Sequence, residues 1–274
     1  MSLVQYYNKE TKTLSIPYYF NEELKDLPFG VEIIIFDEKH LKYSLFNHPI
    51  NNLPPNITTI IFGCGSQFNH PVDNLPRNLK AITFGGFFNQ SVDNLPNTLT
   101  SITFGKCFDQ LVDNLPHNLT SITFGFSFNH PVDNLPPKLT TITFGYHFNC
   151  PVNHLPKNLT VITFGWCFNS PVNNLPQNLT SITFRGAFNQ PIYNLPPKLT
   201  HLEFKNTFNF NQPINNLPPK LTHLTLGFDY QKLVNNLPIN LKQIILYNKL
   251  QIKHLKKIPF DCKILDKYNN EIFL

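Results

Sequence analysis

Charge is scarce in this chain. Lys and Arg number 22 and Asp and Glu 17 among 274 residues, so that 14% of positions are charged and the formal net charge is +5. Residues 1–45 carry five Lys against seven acids, 46–241 ten bases against seven acids, and 242–274 seven Lys against three acids. The excess is thus a lysine-rich C-terminal segment, most simply a solvated cap, whereas ordered phosphate contacts need basic residues aligned on one face. Nucleic acid is not the expected partner.

Long apolar runs are missing as well. No stretch approaches the length of a membrane span, and the N-terminus, MSLVQYYNKETKT, has no apolar signal core. Five cysteines, an odd number in different repeat contexts, make no disulfide framework. Cys107 and Cys167 share a column but lie three repeats apart, about 14 Å at parallel-strand spacing, too far to bridge. Free thiols, a reducing cytoplasmic setting and no membrane contact are expected. The glycines sit at repeat period and not in a strand-to-helix loop, so nothing cradles a phosphate and no cofactor is expected.

What the chain has is one sentence, repeated: FDQLVDNLPHNLTSITFGFS (108–127), FNHPVDNLPPKLTTITFGYH (128–147), FNCPVNHLPKNLTVITFGWC (148–167). Its opening Phe recurs at 46, 68, 88, 108, 128, 148, 168, 188 and 210, with Tyr230 in the last copy; the spacing is 20 except after Phe46 and Phe188, where it is 22. A short strict period makes the fold a stack of equivalent units, in which shared positions report architecture and variable ones report function. CGSQ (64–67) and KNTFN (205–209) take up the extra residues and are expected to bulge as loops.

Within a copy, LTSITF alternates so that Ile102 and Phe104 point inward and Ser101 and Thr103 outward, a short strand that ends at Gly105, where a backbone turn is expected. The remainder, DQLVDNLPHN, is rich in Pro, Asn and Asp, so the return limb is extended or polyproline-like with short turns and little helix. One such unit cannot bury its apolar side alone. Stacked copies can, as a parallel sheet with Leu, Ile, Phe and Val in columns. The expected fold is therefore a β-solenoid with one short parallel strand per 20–22-residue repeat.

The pattern LxxIxF followed by VxxLP resembles the leucine-rich repeat. FN-x-P-[IV]-x-N-LP-x-x-LT-x-[IL]-x-FG is similar to the FNIP repeat of social amoebae and giant DNA viruses, over residues 46–247 in ten copies. Residues 1–45, with a decayed repeat in LPFGVEIIIFDEKHLKYSL (27–45) and a further strand in TLSIPYYF (13–20), form an N-terminal cap, and 248–274 a C-terminal one. Members of that family often carry an N-terminal F-box that recruits a ubiquitin ligase scaffold; 45 residues are too few for an F-box plus a cap. The resemblance still implies, as an alternative, the substrate-recognition part of a ligase adaptor.

Two asparagine columns, one after the opening Phe and one before Leu-Pro, read as side-chain ladders along the stack; Asp109 interrupts the first and His154 the second. The residues after FG vary most, and they are the candidate partner-binding positions: Phe87, Lys106, Phe126, Tyr146, His147, Trp166 and Phe228. Phe126, Tyr146 and Trp166 occupy one column of consecutive repeats, with rings stepping about 5 Å along one sheet edge. Large aromatics supply interface hot spots, or alternatively form a rim that shields the core. His201, Glu203 and His223 are outward neighbours that would carry a metal-dependent enzyme as a further alternative, but no catalytic or metal residue is assigned. The leading expectation is a monomeric, non-enzymatic scaffold that binds a protein partner, a host protein if the chain is viral, through the exposed sheet and its aromatic edge.

Overall fold

The structure, a computed structural model, describes residues 2–37 and 43–272. Residues 38–42 of the expected decayed repeat lie outside that range. The chain falls into two units, Met1–His130 with Asn134–Leu139, and Pro131–Asp133 with Thr140–Leu274.

In the first unit the strands are β1 (Tyr7–Asn8), β2 (Thr13–Ile16), β3 (Ile33–Phe36), β4 (Thr59–Phe62), β5 (Ala81–Thr83), β6 (Ser101–Thr103) and β7 (Ser121–Thr123). The second holds β8 (Thr141–Thr143), β9 (Val161–Thr163), β10 (Ser181–Arg185), β11 (His201–Lys205), β12 (His223–Leu226), β13 (Gln243–Leu246) and β14 (Lys263–Asp266). β1 pairs antiparallel with β2; from β2 to β7, and again from β8 to β14, each strand pairs in parallel with the next. The register joins equivalent positions: Ile82 faces Ile102, Ile102 faces Ile122, and Ile162 faces Ile182. Both units are β-solenoids of leucine-rich-repeat type, and their helical segments among the described residues are two 3-10 turns, Val4–Tyr6 and Lys249–His254.

The core is a pair of phenyl columns. Within a repeat the strand Phe meets the next opening Phe, with centroids 3.8 Å apart for Phe104 and Phe108 and 4.0 Å for Phe164 and Phe168. Between repeats the opening residues stack at about one strand spacing plus offset, 6.2 Å for Phe88 and Phe108 and 5.9 Å for Phe210 and Tyr230. Leu99, Val112 and Leu115 close the buried side of the return limb. That limb makes no sheet ladder; a tight turn at each Pro-x-x-Leu, such as Leu179 N–H to Pro176 O at 3.2 Å, satisfies its backbone locally.

The glycine after the strand is needed for a different reason from the one its position in the sequence suggests. Gly125 and Gly165 have no positive φ. A Cβ on Gly125 would stand 1.7 Å from Gly105 O, and one on Gly165 1.6 Å from Gly145 O, so it is the close approach of successive backbones that excludes a side chain.

The two insertions do not simply bulge outward. In the first, Ser66 is fully buried and Gly65 lies under the ring of Tyr43; in the second, Thr207 is buried and donates its hydroxyl to Phe204 O at 3.2 Å. Each buried hydroxyl residue occupies the space a side chain would need in the following repeat. A Cβ on Gly85 would sit 2.5 Å from Ser66 Cβ, and one on Gly227 1.9 Å from Thr207 Oγ1. The extra residues are absorbed inward because a small polar side chain with a partner can be buried, whereas an unsupported loop cannot stack.

Candidate interaction surface

The hydroxyl and amide side chains on the return limb and before the strand are already committed to holding repeats together. Thr100 donates to Lys80 O at 3.1 Å and Thr180 to Thr160 O at 3.1 Å, each reaching back one repeat. In the first asparagine column the side-chain oxygen accepts the N–H of the next member: Asn169 accepts from Asn189 and itself donates its N–H to Asn149, both at 2.8 Å. The column needs an acceptor, and Asp109 supplies one, taking Asn129 N–H at 3.1 Å. The second column needs a donor. Asn94, Asn114 and Asn134 donate to Asp73, Asp93 and Asp113, and His154 Nδ1 lies 3.0 Å from Asp133. Both exceptions in the sequence are thus chemically equivalent replacements. A third ladder was not read from the sequence: the second residue of the Pro-x-x-Leu turn reaches back to a carbonyl, as Asn118 does to Asn97 O at 2.8 Å and Asn178 to Lys157 O at 3.0 Å.

Partly exposed aromatic side chains lie beside the strand ends. In the first unit, Phe87 is exposed and the Lys106 ammonium lies 5.7 Å from the ring centre of Phe126, itself 40% exposed. In the second unit the rings join. Tyr146 and Trp166 stack with centroids 6.0 Å apart and planes within 2°, and His147 meets Tyr146 edge-on at 5.0 Å. Trp166 continues to Phe208 at 5.7 Å, Phe208 stacks on Phe228 at 5.0 Å and 4°, and Phe228 meets Tyr247 edge-on at 5.0 Å. Lys267 covers the far end, 5.4 Å from Phe228 and 5.0 Å from Tyr268.

Trp166 and Phe208 meet across Gly186, the residue that would interrupt the aromatic column if every repeat were 20 residues long. Phe208 comes from the insertion, and it went unread because the repeat alignment assigns this place to Asn206 and Thr207. The signal was present as the two extra residues in FKNTFNF (204–210), which set Phe208 two places before the opening Phe210 as Phe126 stands two before Phe128. Tyr247 was hidden by the decay of the motif after Leu246.

The His201 and His223 rings stack at 4.3 Å and 7° on the outer sheet face. Thr200 Oγ1 donates to Thr180 O and Thr222 Oγ1 to Thr200 O, so each single hydroxyl proton is used, and each oxygen accepts from the Nδ1–H of the adjacent histidine at 2.9 and 2.8 Å. Both rings are thereby held as the Nδ1–H tautomer. Their Nε2 lone pairs run side by side and do not converge on one point. The Glu203 carboxylate is engaged by Thr183 at 3.0 Å and Lys205 at 2.9 Å. These three residues do not form a chelating triad as they stand. Burial, with the charge of His201 and Lys242 added, holds His223 below the ordinary histidine value, against a smaller opposing effect of Glu203. Among the described residues no helix is long and apolar enough to cross a membrane.

The chain is similar to proteins of one architecture. CroV588, a circular leucine-rich-repeat protein of a giant virus, is 35% identical and superposes with a TM-score of 0.70 over 88% of this chain. The chain spans only 41% of CroV588. YopM from Yersinia enterocolitica WA-314 is 20% identical with a TM-score of 0.54 over 89% of this chain and 56% of its own, and the internalin InlF of Listeria monocytogenes 14% identical with a TM-score of 0.54 over 79% and 68%; these two share the fold alone. No curated protein matches the sequence. The FNIP Repeat is matched at residues 46–87, 68–107, 108–147, 128–167, 148–186, 168–207 and 188–229, more than half of the chain. The chain belongs to the FNIP repeat family.

Proposed function

We propose that the protein is a non-enzymatic scaffold that binds a protein partner through the outer sheet face and the aromatic edge of its second unit. The observation that carries this reading is the run of ring contacts Tyr146, Trp166, Phe208, Phe228 and Tyr247. Nothing in repeat stacking requires it: other copies place Gly86, Lys106 or Gly186 in the column and still stack. Rigid aromatic side chains lose little conformational entropy on association and bury large areas, which is why they dominate interface energetics. All five cysteines are free, which fits a reducing compartment and directs the search to cytoplasmic extract. The likeness to CroV588 directs it to host cells of giant viruses.

The test is capture from such an extract on immobilised full chain, with wild type compared with Trp166→Ala, Phe208→Ala and the pair. A partner retained by wild type and lost by the double variant supports the reading. Recovery of the same proteins in equal amount by both would overturn it. Light scattering of the free chain is expected to give the mass of a single chain.

A further inference from the structure

A second surface lies at the opposite end of the strands from the aromatic edge. The first residue of each Pro-x-x-Leu turn stands at a corner of the stack. The central copies place Pro, Arg, Asn, His, Lys or Gln there; the decayed N-terminal copy places Phe29, and the last two place Ile239 and Phe260, which are 87% and 102% exposed and, unlike Phe29, stand one repeat apart. They form one wall of a groove of about 810 Å³ lined also by Thr200, Lys220, Thr222, Leu241, Lys242 and Asp261. Two large apolar side chains held fully in water, one repeat apart and beside a groove, are not explained by packing of the fold.

The polar groups of the groove are left over from the third ladder. Asn118 and Asn178 donate their amides backward, and their oxygens are then taken by Lys138 and Lys198 of the next repeat, both at 2.7 Å. Asn240 also donates backward, to Pro219 O at 2.9 Å, but its successor is Asp261, a carboxylate that cannot fill the Asn240 oxygen. Lys220 and Lys242 form no ion pair among the described residues. The groove therefore offers two exposed ammonium groups outside any ion pair, an amide oxygen without a protein donor, and two exposed apolar side chains.

We infer that this groove binds an extended acidic peptide segment of a protein partner, with its carboxylates at Lys220 and Lys242, its backbone N–H at Asn240, and an apolar side chain against Ile239 and Phe260. Charge decides the sign of the occupant: from residue 242 onward seven Lys face three acids, and Asp261 is the sole carboxylate in the groove wall. The unfilled Asn240 oxygen favours a peptide over a lipid surface, because an acyl chain would desolvate that acceptor without replacing its hydrogen bond.

The experiment uses the full chain and a short fluorescein-labelled peptide alternating Glu and Leu, read by anisotropy. Expected is saturable binding that weakens about fivefold to tenfold in Lys220→Gln/Lys242→Gln. It should weaken comparably in Ile239→Ser/Phe260→Ser, with thermal midpoints unchanged in both, and be absent for the same peptide with Gln in place of Glu. Trp166→Ala should leave this binding intact, so the groove and the aromatic edge stand or fall separately. Equal affinity for the Gln peptide, or no loss in the lysine variant, would overturn the assignment. So would sedimentation with phosphatidylserine vesicles, but not with phosphatidylcholine, in the absence of peptide binding; that result would make the surface a lipid contact.

Discussion

The indole of Trp166 lies across the backbone of Gly186. A Cβ built on Gly186 would stand 2.6 Å from Trp166 Cγ and 2.3 Å from Trp166 O, and the residue sits at φ +50°. Gly186 therefore serves two purposes, taking a left-handed conformation and leaving room for the ring to reach Phe208.

Gly186→Ala is expected to cost about 1–3 kcal/mol, since the added methyl meets both strain and a packed ring. The chain has one tryptophan, so the same variant should red-shift its fluorescence as the indole is pushed into water. An unchanged spectrum together with an unchanged unfolding midpoint would show that the contact does not hold the ring.

Trp166→Ala removes a half-buried side chain that touches Tyr146 and Phe208. A loss of about 1–2 kcal/mol is expected, along with the loss of partner capture. Tyr146 is 39% exposed, and its replacement by Ala should cost less than about 1 kcal/mol. Chemical denaturation of the two variants side by side separates rim packing from binding.

The first asparagine column makes a sharp chemical prediction. Asn169 uses its side-chain oxygen to accept Asn189 N–H, so Asn169→Asp keeps the contact and should be nearly neutral, while Asn169→Leu should cost about 1 kcal/mol. Equal destabilisation by both would mean that the amide nitrogen carries the ladder.

Tyr230 occupies the phenylalanine column, and its buried hydroxyl approaches the Ile214 backbone without completing a well-formed hydrogen bond. Tyr230→Phe removes this poorly satisfied polar atom without opening a cavity, and a gain of about 1 kcal/mol is expected in equilibrium unfolding. A loss of that size would show that the contact with the Ile214 backbone holds as a hydrogen bond.

His223 supplies the pH dependence. Its folded value lies below the ordinary 6.5, chiefly through burial, so as pH falls the unfolded chain takes up this proton first. The stability contributed by neutral His223 is complete above about pH 6.5 and is lost as pH drops below that through the folded value. His201, Glu203, Lys205 and Lys242 surround the ring, and Gln243 and Lys263 continue its row. Thermal midpoints measured from neutral to mildly acid pH should fall less in His223→Gln than in the wild type. Parallel curves would place the acid sensitivity elsewhere.

Much of the fold is legible in the sequence because every repeat solves the same local problem. Alternation in SITF places Ile102 and Phe104 inside, and Pro-x-x-Leu marks each turn; both signals are contained in a few adjacent residues. The site was less legible. That Tyr146 and Trp166 stack follows from their place in unbroken 20-residue copies, whereas the contact of Phe208 with Trp166 does not, because its insertion shifts the register by two positions. The groove at Ile239 and Phe260 was missed because exposed apolar residues at a turn tip leave no periodic trace.

The sequence by itself determined which residues face the core, that the strands run parallel, and that the fold is a solenoid, since all three follow from period and polarity within one unit. Tertiary structure alone decided what contacts cross from one repeat to the next: that Asp109 acts as an acceptor and His154 as a donor, that Ser66 and Thr207 are buried, and that Gly186 lets Trp166 reach Phe208. Those outcomes depend on distances between successive backbones and on which hydrogen bonds remain after stacking, quantities that exist only once the repeats have been brought together.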